Sequence, residues 1–144
     1  MKTIHIIHGP NLNLLGEREP DTYGSLTLPE INRRLVDIGK SLDFIVVPFQ
    51  SNHEGEIIDT VHSARNVAAG IIINPGGYTH TSVAIRDAIA GISIPVIEVH
   101  ISNVYNRERF RGKSLISSVC VGKIVGFGWY SYVLGLYALG EILK

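Results

Sequence analysis

The sequence predicts a doubly wound α/β fold: a parallel sheet with helices on both faces, built as a single domain. Two observations carry that prediction. Short, nearly continuous apolar runs alternate with stretches of helical periodicity along the whole chain, and no repeat or low-complexity segment interrupts them. Runs without polar alternation describe strands covered on both faces, and parallel neighbours need a crossover between them, usually a helix. The length, 144 residues, suits one domain with a real core, so residues 1–144 are read as a single domain.

The elements follow in order. Thr3–His8 is the first strand, and Leu28–Leu42 the first helix, with Leu28, Ile31, Leu35, Ile38 and Leu42 on one stripe. Thr27 and Glu30 form a capping box at its start, with Pro29 inside the first turn. Phe44–Phe49 is the second strand. Ser51 and Glu54 repeat the capping signature before EGEIIDTVHSARN, where Ile57, Ile58, Val61 and Ala64 share a face. Gly70–Asn74, Pro95–His100 and Val119–Phe127 are the remaining strands, and Thr81–Ala90 and Tyr130–Leu143 the remaining helices. Right-handed crossovers then favour a five-stranded sheet in flavodoxin-like order. The last helix, with its VLGLYALG run, is apolar on more sides than one sheet face requires. Burial against another subunit is expected.

Composition narrows the function. Hydrophobic residues make up 45% and charged residues 18%, which describes a folded chain rather than a disordered one. Thirteen basic and thirteen acidic residues give zero formal charge, removing the electrostatic footprint of a nucleic-acid binder. No apolar run is long enough to cross a bilayer. The N-terminal MKTIHIIHGP lacks a long apolar core and a cleavage-site pattern, so no signal peptide is expected. A single cysteine, Cys120, excludes an internal disulfide framework and fits a reducing compartment. It lies in VCVGKIVGF and is read as an inert core residue. A cytoplasmic protein without nucleic-acid or membrane partners is expected.

In an open parallel sheet, ligands bind beyond the carboxyl ends of the strands. The first strand leaves into GPNLNLLGEREPDTYG, the third into NPGGYTHTS and the fourth into EVHISN, so three unusual segments converge on one edge. Glu98 and His100 are two apart on a strand and share a face. A buried carboxylate needs a partner, and beside an imidazole it fixes the tautomer and favours the charged ring, which suits a general acid or base. Gly76 and Gly77 permit a tight turn. The Thr/Ser cluster after them opens a helix whose amides favour an anion, with His80 at its start. There is no Walker lysine and no dinucleotide spacing.

The opening loop carries Asn11 and Asn13 as hydrogen-bond donors, then Arg18 and Tyr23 in a stretch too polar to pack inward. A guanidinium beside a phenol stabilises the phenolate, a base suited to a weakly acidic carbon. About fifteen loop residues in so small a domain point to function rather than connection. After the fourth strand, SNVYNRERFRGKS carries Arg107, Arg109, Arg111 and Lys113, which read either as a solvated charged face or, following the Glu98–His100 strand directly, as the source of one arginine that reaches an anionic or polyhydroxylated substrate.

Together, GPNLNLLGEREPDTYG, QSNHEGEIID, INPGGYTHTSVAIRDA and IEVHISNVYNRERFR resemble the type II 3-dehydroquinate dehydratases, in order and from the first strand almost to the C-terminus. The resemblance implies a flavodoxin-like domain assembled as a homododecamer, a tetramer of trimers. It implies a lyase that reversibly dehydrates 3-dehydroquinate to 3-dehydroshikimate through an enolate, in aromatic biosynthesis or quinate breakdown, with no cofactor and no metal. It makes Tyr23 the base for the C2 proton, with Arg18 favouring its phenolate. Asn11 becomes the residue that stabilises the enolate with an ordered water, and His100 the acid for the C1 hydroxyl, held by Glu98. Asn74, His80 and Arg111 become ligands of the ring hydroxyls. It moves the anion from the helix after Gly77 to the amides of Ile101 and Ser102, and has Asp87 reach in from a neighbouring subunit. The Arg18–Tyr23 loop becomes a lid.

Three positions depart from that family's pattern: His8 stands where asparagine is common, Gly77 where alanine is common, and Gly112–Leu115 replaces a segment often richer in histidine. Three other function classes are consistent with parts of the sequence. A serine hydrolase would pair His100 and Glu98 with Ser82 or Ser102, without a nucleophile-elbow motif. A metal-dependent hydrolase would use His80, His100 and Glu98. The last is a small-anion binding module without catalysis.

Overall fold

Strand β1 (Lys2–His8) takes the interior of the sheet because its isoleucines face both ways. In the computed structural model, which describes residues 1–144, Ile4, Ile6 and Ile7 are all fully buried. β2 (Phe44–Gln50) flanks β1 at one edge, and β3 (Gly70–Asn74), β4 (Val96–His100) and β5 (Gly122–Val125) follow on the other side. All neighbours are parallel, and the order is β2-β1-β3-β4-β5, as right-handed crossovers favour.

A one-turn helix, α1 (Pro20–Tyr23), lies in the loop after β1, and four longer helices cover the sheet. Alternation sorts the strand residues between two cores. Ile4, Ile6, Ile72, Ile97 and Val99 pack on one face with Ile31 and Leu35 of α2 (Leu28–Ser41) and with Tyr132 and Leu136 of α5 (Tyr130–Ile142). Ile7, Ile71, Ile73 and Val96 pack on the other, against Ile57 and Val61 of α3 (Glu54–Ala64) and Ile85 and Ile89 of α4 (Val83–Ala90). Each fully buried leucine or isoleucine contributes about 1.5–3 kcal/mol by leaving water. Gly135 lets α5 close on the sheet, since a Cβ there would lie 3.2 Å from Ile72 Cδ1. The far side of α5 leaves Tyr130, Tyr137 and Ile142 exposed, in keeping with its excess of apolar residues.

Thr27 caps α2 as expected: its Oγ1 accepts the Glu30 N–H at 3.4 Å and donates to the Glu30 carboxylate at 2.8 Å. The second capping signature does not form. His53 takes the cap position of α3 without a side-chain bond, while Ser51 Oγ donates to Glu56 rather than pairing with Glu54. β5 is shorter than the apolar run suggests. Ser114 Oγ accepts the N–H groups of Ile116 and Ser117 and curls Ser117–Val119 into a 3₁₀ turn, and Gly126, at φ 92°, turns the chain out of the sheet. α4 begins at Val83, two residues later than expected, because Ser82 is its cap and accepts the Ile85 N–H at 2.9 Å. Cys120 is half-buried, and burial together with the nearby Glu98 charge pushes its thiol up to about 12.

Candidate active site

β1, β3 and β4 end at His8, Asn74 and His100, and the segments leaving them open onto one edge. The cleft there encloses about 190 Å³. Asn11 and Leu12 line it from the first loop, Asn74, Gly76 and His80 from the second, and His100, Ile101 and Ser102 from the third. Arg18, Tyr23, Arg107 and Arg111 complete the lining, so its charged groups are cationic. Convergence of the three segments is therefore as expected.

Strand parity brings Glu98 and His100 together: His100 Nε2 lies 2.6 Å from Glu98 Oε2, with the carboxylate fully buried. Glu98 also accepts from Thr79 Oγ1 at 2.8 Å, Ser114 Oγ at 3.0 Å and Ser117 Oγ at 2.5 Å. Burial pushes its pKa up, but the bonds from His100, Ser117 and Thr79 outweigh that and hold it at about 2. A carboxylate so held is an acceptor for the Nε2–H, which leaves Nδ1 of His100 as the ring nitrogen for a ligand. Neither Ser82 nor Ser102 is hydrogen-bonded to His100. Ser82 Oγ donates to Glu54, and Ser102 Oγ accepts from Arg107, so no serine–histidine pair exists. No group of three His, Cys, Asp or Glu side chains is placed to hold a metal ion.

Tyr23 ends α1, and its ring is half-buried against the α2–α5 core rather than facing away from it. Two guanidinium groups attend it. Arg18 lies over the ring, 4.8 Å from its centroid, and pairs with Glu19 at 2.9 Å. Arg107 instead donates from Nη1 to the phenol oxygen at 2.8 Å and to Ser102 Oγ at 3.2 Å. The sequence leaves open whether an arginine from SNVYNRERFR enters the cleft; which one meets Tyr23 depends on two 3₁₀ turns, Val104–Asn106 and Arg109–Gly112, that leave no periodic pattern. A hollow of about 510 Å³ adjoins the cleft and shares Tyr23, Ile101, Ser102 and Arg107 with it. It contains none of Asn11, Asn74, His80 or His100, which all line the smaller space.

Asn11 sits at φ 69°, a left-handed conformation that asparagine tolerates, and its N–H donates to Asn52 Oδ1 at 2.9 Å. Asn52 comes from the QSN run, to which the sequence assigned no role. His80 Nδ1 donates to the Lys113 carbonyl at 2.7 Å, leaving Nε2 free, and burial lowers its pKa. Arg111 is steered by Glu108, whose carboxylate accepts from Nε at 2.7 Å. The amides of Ile101 and Ser102 donate to no backbone carbonyl and so remain available. At the start of α4, Glu54 Oε2 accepts the Ser82 hydroxyl at 2.5 Å, so a carboxylate already stands at that helix end. Asp87 does not line this cleft. Its carboxylate is exposed and pairs with Arg86 at 2.9 Å.

Behind the cleft, Asn74 is 3% exposed and joined to a buried chain of polar groups. Its Nδ2 lies 3.1 Å from Tyr132 Oη, which lies 2.8 Å from His8 Nδ1, and His8 Nε2 lies 2.8 Å from Asn32 Oδ1. Burial drives the His8 pKa down to about 4 and pushes the Tyr132 phenol up.

A doubly wound sheet with a cationic cleft at its carboxyl edge, a carboxylate-held histidine and a guanidinium-bound tyrosine defines an α/β protein equipped for acid–base chemistry on a small anion. The model of dehydroquinase class II matches residues 2–140. A 3-dehydroquinate dehydratase of Gloeothece citriformis is 58% identical over 99% of this chain and 93% of its own length. The type II dehydroquinase structure from Butyrivibrio crossotus superposes with a TM-score of 0.94 at 48% identity, covering 96% of this chain and 97% of that one. The one from Propionibacterium acnes gives 0.95 at 38% identity, covering 98% and 97%. The chain belongs to the class II dehydroquinase family.

Proposed function

We propose that the chain is a lyase, a 3-dehydroquinate dehydratase that reversibly removes water from 3-dehydroquinate to give 3-dehydroshikimate. Family membership and relatives of that name support the reaction. The observation that carries the mechanism is the pairing of two proton-transfer groups in one cleft, Tyr23 under Arg107 and His100 under Glu98.

The phenolate of Tyr23 takes the C2 proton beside the ketone, and the Arg107 and Arg18 guanidinium groups stabilise the charge on its oxygen before that transfer. The electrons of the C–H bond pass into the carbonyl as an enolate, which Asn11 stabilises with a water. His100 delivers a proton from Nδ1 to the C1 hydroxyl, which leaves as water as the double bond forms, while Glu98 holds the charged ring. Asn74, His80 and Arg111 bind the ring hydroxyls, and the Ile101 and Ser102 amides bind the carboxylate. The loop bearing Arg18 and Tyr23 closes over the substrate as a lid. Asp87, exposed here, completes the site of a neighbouring subunit in a dodecamer of four trimers, and the exposed apolar side of α5 supports such an assembly. The protein works in the cytoplasm without a cofactor. No helix is long and apolar enough to cross a membrane.

The test follows the ultraviolet absorbance of the conjugated product when 3-dehydroquinate is added to the protein and to Tyr23→Phe. A signal rising with the wild type and lost in the variant is expected. No signal from folded wild type would refute the reaction, and activity retained in Tyr23→Phe would refute the base.

A further inference from the structure

The buried chain behind Asn74 has a direction, and it starts at an atom that can only donate. The Gly76 backbone N–H lies 3.1 Å from Asn74 Oδ1, so the carboxamide oxygen accepts there and Nδ2 is the atom turned to Tyr132. Nδ2 is a donor, so Tyr132 Oη accepts from it at 3.1 Å. The phenol proton then has one remaining partner, His8 Nδ1 at 2.8 Å. Nδ1 must be unprotonated to accept it. The imidazole proton therefore sits on Nε2 and donates to Asn32 Oδ1 at 2.8 Å. The direction of every bond in the line is fixed, and reversing any one leaves a donor facing a donor or an acceptor facing an acceptor.

We infer that His8 and Tyr132 are positioning residues for the dehydratase reaction: through them the chain Gly76–Asn74–Tyr132–His8–Asn32 fixes the Asn74 carboxamide so that it offers one free Nδ2–H to the cleft and reads a substrate hydroxyl as an acceptor. Oδ1 is engaged by Gly76 and one Nδ2–H by Tyr132, which leaves the second Nδ2–H unengaged in a residue that lines the cleft. His8 and Tyr132 themselves are fully buried and do not line it. The T-shaped stack of the two rings, 5.0 Å between centroids, keeps the phenol oxygen over Nδ1. The imidazole spans from Tyr132 to Asn32 on α2 and so ties the site to that helix. The inference rests on the dehydratase reading of the cleft and specifies how one of its ligands is set.

The experiment combines kinetics with crystallography on Tyr132→Phe, His8→Leu, His8→Asn and Asn74→Ala. Tyr132→Phe removes one oxygen and His8→Leu removes the acceptor; each is expected to lower kcat/KM about tenfold, carried mainly by KM. His8→Asn, which restores an acceptor toward Tyr132, is expected to recover most of that loss. In an Asn74→Ala background, Tyr132→Phe should cost nothing further, because the group it positions is gone. Losses that add in that background, or a His8→Asn no better than His8→Leu, would overturn the positioning role. Should His8→Leu fail to fold, the Tyr132→Phe cycle decides alone. The crystal structure of Tyr132→Phe reads the device without turnover: an Asn74 side chain turned or spread over two positions supports it, and one unchanged in place refutes it. Inactive wild type would refute the dehydratase reading and leave this structural arm standing.

Discussion

Arg107 donates from Nη1 to the phenol oxygen of Tyr23 at 2.8 Å, joining residues 84 apart in the sequence, while Arg18, five residues before the tyrosine, contacts only the face of its ring. The nearer arginine in sequence is thus not the one hydrogen-bonded to the oxygen. Its guanidinium is also turned toward Glu19, which draws off part of its field.

Arg107→Ala should lower kcat about 100-fold with a smaller change in KM, the loss typical of removing a preorganised donor from a site of developing charge. Arg18→Ala should cost less in kcat. Initial rates over a substrate series test the ranking, and a larger kcat loss in Arg18→Ala would return the role to the sequence neighbour.

Glu98 is buried, ionised and held by one ring nitrogen and three hydroxyls. Glu98→Gln keeps the shape but turns an NH₂ toward donors that need an acceptor. A stability loss of about 1–3 kcal/mol is expected, together with a kcat loss of about 10-fold or more, the size seen when a histidine loses its orienting group. Ser114→Ala removes one of the hydroxyls and should produce the same kinetic defect in milder form. Denaturant titration beside steady-state rates separates the two effects, and a Glu98→Gln enzyme of unchanged kcat would show that His100 needs no carboxylate.

Gly9 lies where the β1 exit crosses the β3 exit. A Cβ there would stand 2.5 Å from both the carbonyl carbon and oxygen of Pro75, backbone atoms that no rotamer change can move. Gly9→Ala should destabilise the fold by about 1–3 kcal/mol and weaken substrate binding, since the same displacement separates Asn11 from Asn74. Thermal melting and KM report the two consequences, and a variant with unchanged melting would mean that the exits part freely.

Strands and helices were legible because each buries a face and therefore repeats with period two or near 3.6. Glu98 with His100 was legible for the same reason, since strand parity is local. What escaped was contributed by groups distant in sequence and placed by irregular backbone. Arg107 reaches Tyr23 through 3₁₀ turns, and Ser114 and Ser117 reach Glu98 from a segment that read as the approach to β5. Asn52 holds the Asn11 amide from beyond β2, and its only trace in the sequence was membership of a motif. The tyrosine–histidine chain was hidden differently: Tyr132 reads as one more apolar residue of α5, and its hydroxyl matters only because Asn74 and His8 end adjacent strands.

Acid should unfold this protein earlier than a typical neutral domain, and His8 sets where that begins. In the unfolded chain its imidazole takes a proton as the pH falls through the ordinary 6.5, whereas in the fold it stays neutral down to about 4. Between those values the unfolded state binds more protons, so stability rises with pH across the window and is lost as the pH falls through it. Burial is complete, and the displacement corresponds to about 3 kcal/mol over the whole window. Glu98 continues the trend at lower pH: it stays ionised in the fold to about 2 while the unfolded carboxyl protonates from its ordinary 4.5, so its contribution is also lost on acidification. Stability measured by denaturant at intervals from about pH 7 to pH 4 should therefore fall steadily. His8→Asn has nothing to titrate at this site, and its curve should be flatter between pH 6.5 and about pH 4 by about the same 3 kcal/mol. Parallel curves for the two proteins would mean that His8 already carries its proton in the fold, a state in which Tyr132 has no acceptor and the chain to Asn74 is broken.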